Sequence, residues 1–142
     1  MLAKIRSIAD TLAPRLIEIR RHLHAHPELS GQEHQTAAYI AGVLSAAGLR
    51  TQEAVGKTGV VGELGGAGTD PRLLAIRTDM DALPIVERTG LAFSSRNEGI
   101  MHACGHDVHT TVGLGTAMIL AQLGEELPGN MRFIFQPAEE IA

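Results

Sequence analysis

The feature that most constrains this chain is a strand–helix–strand run in its second half. Leu73-Leu74-Ala75-Ile76 is a continuous apolar stretch of strand length, of the kind expected when a sheet buries a strand on both faces. Residues 108–123 are apolar enough for a buried helix and rich in small side chains (Gly113, Gly115, Ala117). Pro128-Gly129-Asn130 then turns the chain into a second apolar strand, Met131-Arg132-Phe133-Ile134-Phe135. Two strands joined through a helix are expected to pair in parallel. The chain is therefore expected to be α/β.

The first half supplies two helices and two strands. Ile5, Ile8 and Leu12, then Leu16, Ile19 and Leu23, recur at three- and four-residue steps, which predicts a helix over 3–25. Pro14 is a candidate dividing point and Pro27 its end. Ser30-Gly31-Gln32-Glu33 has the pattern of a capping box. The helix it would open places Ala37, Ile40, Val43, Leu44 and Ala47 on one face, with Gly48 as the C-terminal cap. Residues 49–55 and 59–64 read as strands, and 65–71 as a turn cluster. The strand at 59–64 and the run at 73–76 are expected to form a hairpin. Residues 78–100 show no period and read as a long loop, a feature that is usually functional or disordered. The expected order is ααβββαβ.

Charge and composition narrow the function. Of the net charge of −4, all lies in the second half: residues 72–142 carry five basic and nine acidic side chains, while 1–71 carry seven of each. The seven histidines fall in two groups, His22, His24, His26 and His34, then His102, His106 and His109. Surplus carboxylate beside histidine suggests a bound cation. The net negative charge and only four aromatic residues argue against a nucleic-acid partner. A single cysteine, Cys104, excludes an intramolecular disulfide. No apolar run approaches the ~20 residues of a membrane helix, and the first residues lack the apolar core of a secretory signal. A cytoplasmic protein with no membrane partner is expected.

Three constellations carry chemistry. His102, Cys104, His106, Asp107 and His109 are five potential metal ligands within eight positions, on a loop entering a helix. Thiolate and imidazole both suit zinc-like ions. Gly105 lets the backbone bend so that its neighbours converge, and the helix N-terminus is expected to favour the Cys104 thiolate. Glu139 and Glu140 directly follow the last strand, where α/β sheets build their sites. One carboxylate can bind metal while the other handles protons. Asp79 and Asp81 follow the other parallel strand and are candidates for orienting a ligand histidine, as is Asp107. The alternating His22, His24 and His26 are expected to pack near the cleft rather than bind metal.

In order and spacing, His24-Ala25-His26-Pro27-Glu28-Leu29-Ser30, residues 77–84 (Arg-Thr-Asp-Met-Asp-Ala-Leu-Pro), residues 101–109, and Phe135-Gln136-Pro137-Ala138-Glu139-Glu140 closely resemble the N-terminal part of the N-acyl-amino-acid amidohydrolases. That family includes the hippurate and auxin-conjugate hydrolases and is related to aminoacylase and the zinc carboxypeptidases. The resemblance implies a partial three-layer αβα, zinc-peptidase-like catalytic domain with a mixed sheet. It implies two divalent metal ions (zinc, manganese, cobalt or nickel), with Cys104 bridging, His106 and Glu140 as ligands, and Glu139 as general base and then acid. Arg77 stands where related enzymes carry a ligand histidine, so no ligation is expected there. The implied reaction is hydrolysis of the amide bond of small N-acyl amino acids, hippurate among them, in a parent that is a candidate homo-oligomer.

Members of that family are more than twice this length, with further metal-binding histidines beyond the Glu-Glu pair. Residues 1–142 are thus expected to be the N-terminal part of the catalytic domain, without the lid or dimerisation domain and the C-terminal part. The alternative is a catalytically inactive fragment that acts at most as a partial metal-binding or interaction module. A cysteine hydrolase using Cys104 is the weaker third reading, because His106 lies too close in sequence to be a comfortable base.

Overall fold

The computed structural model describes residues 1–66 and 72–141. The elements run α1 (Leu2–Ala25), α2 (His34–Ala46), β1 (Arg50–Val55), β2 (Gly59–Leu64), β3 (Leu73–Asp79), α3 (His106–Leu123) and β4 (Asn130–Gln136), which is the expected ααβββαβ order. Among the described residues no helix is long and apolar enough to cross a membrane. Most of the expected turn at 65–71 lies outside the described residues.

The sheet order is β1-β2-β4-β3. β3 and β4 pair in parallel, with Ile76 beside Phe133 and Asp79 beside Gln136, as a strand–helix–strand unit requires. The expected hairpin between β2 and β3 is not formed. β2 instead pairs antiparallel with β1 on one side and with β4 on the other. β4 is thus inserted between the two strands that precede it, a choice made by pairing over long sequence separation that periodicity does not register. β3 is accordingly an edge strand, and Leu73 and Leu74 are exposed rather than buried on both faces.

One hydrophobic cluster joins helices and sheet: Ile19 and Leu23 from α1, Ile40 and Leu44 from α2, Leu114 and Ala117 from α3, and Val60, Phe133 and Phe135 from the sheet. Val60 lies opposite Phe135, and Gly62 opposite Phe133, so these residues share one face of the pleat. On the other face Glu63 lies directly opposite Arg132 and pairs with it across the strands. The helix and sheet layers of the expected sandwich are therefore present, with a mixed sheet.

Two local details differ from the sequence pattern. α1 runs unbroken through Pro14, whose ring sits on the exposed side of the helix. The capping box does not form. Glu28, not Ser30, caps α2, its carboxylate accepting the N–H groups of Gln35 and Thr36 at 3.1 and 2.7 Å. Ser30 and Glu33 are drawn into longer-range bonds instead. At the other end Gly48 does close α2, in the left-handed conformation (φ +88°), with Leu49 N–H returning to Leu44 O.

The long segment after β3 is stitched back onto the end of α1. Ala82 N–H bonds Glu28 O, Leu83 and Met101 exchange backbone bonds, Arg96 N–H reaches Ala25 O, and the Asn97 amide reaches Pro27 O. These bonds bring the 101–109 motif to the C-terminal ends of β3 and β4.

Candidate metal centre

The parallel pair β3 and β4 ends at Asp79 and Gln136. The chain beyond each strand, together with the first turn of α3, forms the edge where α/β sheets build sites. Gly105 precedes α3 in the left-handed conformation (φ +86°), a backbone geometry that costs glycine little. That turn sets the exposed Cys104 and the buried His106 beside each other. A second left-handed residue, Ala138 (φ +55°), turns the chain after β4 and brings Glu139 and Glu140 to face them.

The result is a compact donor set. One donor atom each from Cys104, His106 and Glu140 lies within 4.8 Å of the others. His106 Nε2 stands 3.8 Å from Glu139 Oε2 and 3.8 Å from Glu140 Oε1. The other ring nitrogen is held from behind. Nδ1–H faces the Asp81 carbonyl at 3.0 Å and Asp81 Oδ1 at 3.1 Å, which leaves the Nε2 lone pair directed at the donor set. Glu140 Oε1 is buried, and among the described residues it finds no hydrogen-bond partner. A buried carboxylate oxygen without a donor is costly, and with sulfur, imidazole and carboxylate converging, the set suits a divalent transition-metal ion.

Asp81 links both halves of the set. Its Oδ2 accepts the Ser30 hydroxyl at 2.7 Å and the Glu140 N–H at 3.0 Å. Burial opposes ionisation of Asp81, but these donors outweigh it and hold its carboxyl below the usual range. Asp79 is engaged differently: Oδ2 faces His109 Nδ1 at 3.0 Å and Oδ1 pairs with Arg77 at 2.7 Å. Arg77 also donates to the Gln136 side chain. Asp107 turns away from the donor set to His24 Nδ1 at 2.7 Å and Arg20 Nε at 3.1 Å.

The Cys104 thiol departs from the sequence expectation. The Glu140 carboxylate beside it pushes its pKa up first, with burial and the charges of Glu139 and Asp79 adding to the effect. These nearby carboxylates act against the helix N-terminus, and a bound cation would offset them.

Several residues acquire roles that no local pattern signals. Ser30 and Glu33, which read as helix caps, reach Asp81 and Ala138. His24 is buried between Asp107 and Glu87. His22 stacks on Tyr39, with ring centroids 4.1 Å apart, and lies beside His26, so neither joins the donor set. His102 is buried, and neither ring nitrogen finds a hydrogen-bond partner among the described residues. Burial lowers its pKa to about 4, against the opposing charge of Asp107.

Residues 75–142 match the family model described as peptidase family M20/M25/M40. A Synechocystis protein named "Probable hydrolase" is 72% identical over 139 residues, spanning 98% of this chain and 35% of that protein. An N-acyl-L-amino acid amidohydrolase of Geobacillus stearothermophilus is 48% identical over 139 residues, spanning 97% of this chain and 37% of that protein. Among solved structures, a Bacillus subtilis protein described as a dinuclear metal-binding peptidase from the M20 family superposes with a TM-score of 0.87 at 50% identity, over 93% of this chain and 37% of that one. The chain thus spans about a third of the length of these relatives.

Proposed function

We propose, on the premise of its similarity to the M20/M25/M40 peptidase model and to the N-acyl-amino-acid amidohydrolases, that this protein hydrolyses the amide bond of N-acyl amino acids with divalent metal ions. The observation that carries this reading is the convergence of Cys104, His106 and Glu140 within 4.8 Å, with the Glu139 carboxylate alongside.

In this reading Cys104, His106 and Glu140 hold metal. Bound ions would supply Lewis acidity, acidifying water and polarising the amide carbonyl. Glu139 takes the proton of the attacking water at its carboxylate and then delivers it to the leaving amine nitrogen. Asp81 keeps His106 in the tautomer that directs Nε2 inward. Three protein donors suit one ion, so a second ion draws further donors from elsewhere in the protein. The isolated chain accordingly binds metal and does not turn substrate over.

The test uses the full-length protein with a panel of N-acyl amino acids, including hippurate and N-acetyl amino acids. Activity should disappear on stringent chelation and return with metal. Glu139→Gln should abolish turnover while metal content stays at the parent level. Full activity after exhaustive chelation would overturn the reading.

A further inference from the structure

Glu33 is a fully buried carboxylate with no part in the donor set and none in capping its own helix. Its two oxygens reach opposite ways. Oε2 accepts the Thr58 hydroxyl at 2.6 Å, at the tip of the β1–β2 hairpin, and Oε1 accepts the Ala138 N–H at 2.8 Å. Among the described residues this buried carboxyl group meets a hydroxyl and a backbone N–H, a costly arrangement for packing alone.

The arrangement makes sense from the side of Ala138. This residue carries a side chain in the left-handed region (φ +55°) immediately before Glu139 and Glu140. Such a conformation persists only where its surroundings over-determine it. Two carboxylates grip the turn: Glu33 holds the N–H of Ala138, and Asp81 holds the N–H of Glu140 at 3.0 Å. Between those two points lies Glu139. Among the described residues the one further backbone bond within the turn, Ile141 N–H to Ala138 O, is long at 3.5 Å.

We propose that Glu33 is a positioning residue for the Glu139–Glu140 pair, acting through the Ala138 N–H to hold both carboxylates toward Cys104 and His106. The proposal rests on the metal-centre reading above. Thr58 is, on this account, a support for Glu33 and not itself a determinant of the turn.

Three variants separate positioning from stability. Glu33→Leu removes both bonds. Glu33→Gln keeps a carbonyl oxygen for Ala138 N–H while its amide donates to a Thr58 hydroxyl that can accept as readily as donate. Thr58→Val removes only the hairpin bond. Co²⁺ titration of the chain, read by the thiolate-to-cobalt absorption of Cys104, should give parent-like affinity in E33Q and T58V. In E33L the affinity should fall by about 10–100-fold, as when groups that orient ligands are removed. The Ala138 amide should exchange slowly with solvent in the parent, E33Q and T58V, and rapidly in E33L. If E33L does not fold, Glu33→Asp replaces it, since a side chain one methylene shorter cannot span both donors; it should show the same weakening and the same rapid exchange.

Parent-like Co²⁺ affinity in folded E33L or E33D overturns the proposal, as does a T58V variant weakened as much as E33L. Failure of the parent chain to bind Co²⁺ overturns the metal-centre reading instead. In that case Ala138 exchange still decides whether Glu33 holds the turn, and an unprotected Ala138 amide in the parent overturns it.

Discussion

Asp81 grips His106 twice, through its backbone carbonyl at 3.0 Å and its carboxylate Oδ1 at 3.1 Å, so that one residue fixes both the tautomer and the tilt of the imidazole. The same side chain holds the backbone of Glu140 through Oδ2. Two elements far apart in sequence therefore meet at one carboxylate. Asp81→Ala should weaken divalent metal binding by about 10–100-fold, measured by Co²⁺ titration. Asp81→Asn should weaken it less, because an amide oxygen still accepts one of the donors. Parent-like affinity in D81A would show that His106 keeps its orientation without this support.

The carboxylates around Cys104 give a prediction in the opposite direction from the helix-terminus argument. Because Glu140 and its acidic neighbours raise the thiol pKa, metal-free protein should react with iodoacetamide at neutral pH more slowly than an unstructured cysteine peptide. Glu140→Gln should speed that reaction. A rate in metal-free protein above that of the peptide would mean that the dipole wins after all.

Glu87 links the long segment to α1 and titrates in acid. Burial works against its charge, but the Ser95 N–H, the Thr89 hydroxyl and His24 together bring its pKa down from 4.5 to about 2. A carboxylate with a depressed folded value contributes stability that is complete above the unfolded value and lost as pH falls through the folded one. The window is therefore from 4.5 down to about 2. Glu87→Gln should lower the urea midpoint near neutrality, and its difference from the parent should shrink on going from about pH 6 to about pH 3. A difference that stays constant over that range would rule out this linkage.

Gly113 lets α3 settle onto the sheet. A methyl group there would lie 2.8 Å from Thr78 Cγ2 and 3.2 Å from Phe135 Cε1. Alanine in a helix interior usually gains about 0.5–1 kcal/mol over glycine, whereas overpacking a well-filled contact costs about 1–3 kcal/mol. Gly113→Ala should thus be net destabilising in chemical denaturation. Thr78→Ser, which deletes the clashing methyl, should restore part of the loss in the double variant. Additivity of the two changes would show that the contact relaxes freely.

Much of the site was legible because its residues are crowded in short motifs. Cys104 and His106 flank a glycine, Glu139 and Glu140 follow an apolar strand, and both segments fall where a strand–helix–strand unit builds its edge. The supporting residues were not legible. Ser30 and Glu33 fit a capping box so well that local pattern assigns them to helix α2, yet their side chains go to Asp81, Thr58 and Ala138. A cap and a long-range acceptor use the same residue types, and spacing does not distinguish them.

The sequence by itself determined the ααβββαβ order, the parallel pairing across α3 and which residues are candidate metal donors, because these follow from periodicity and from side-chain chemistry. The tertiary structure alone decided that β4 would enter between β2 and β3, and that Asp81 would serve His106 while Asp79 served His109. It also decided that Cys104 would meet three carboxylates rather than only a helix terminus. Each of these outcomes depends on which segments meet across many residues of chain. That depends on burying the shared apolar face of Val60, Phe133 and Phe135 against the helices, a constraint that exists only once the whole sheet is assembled.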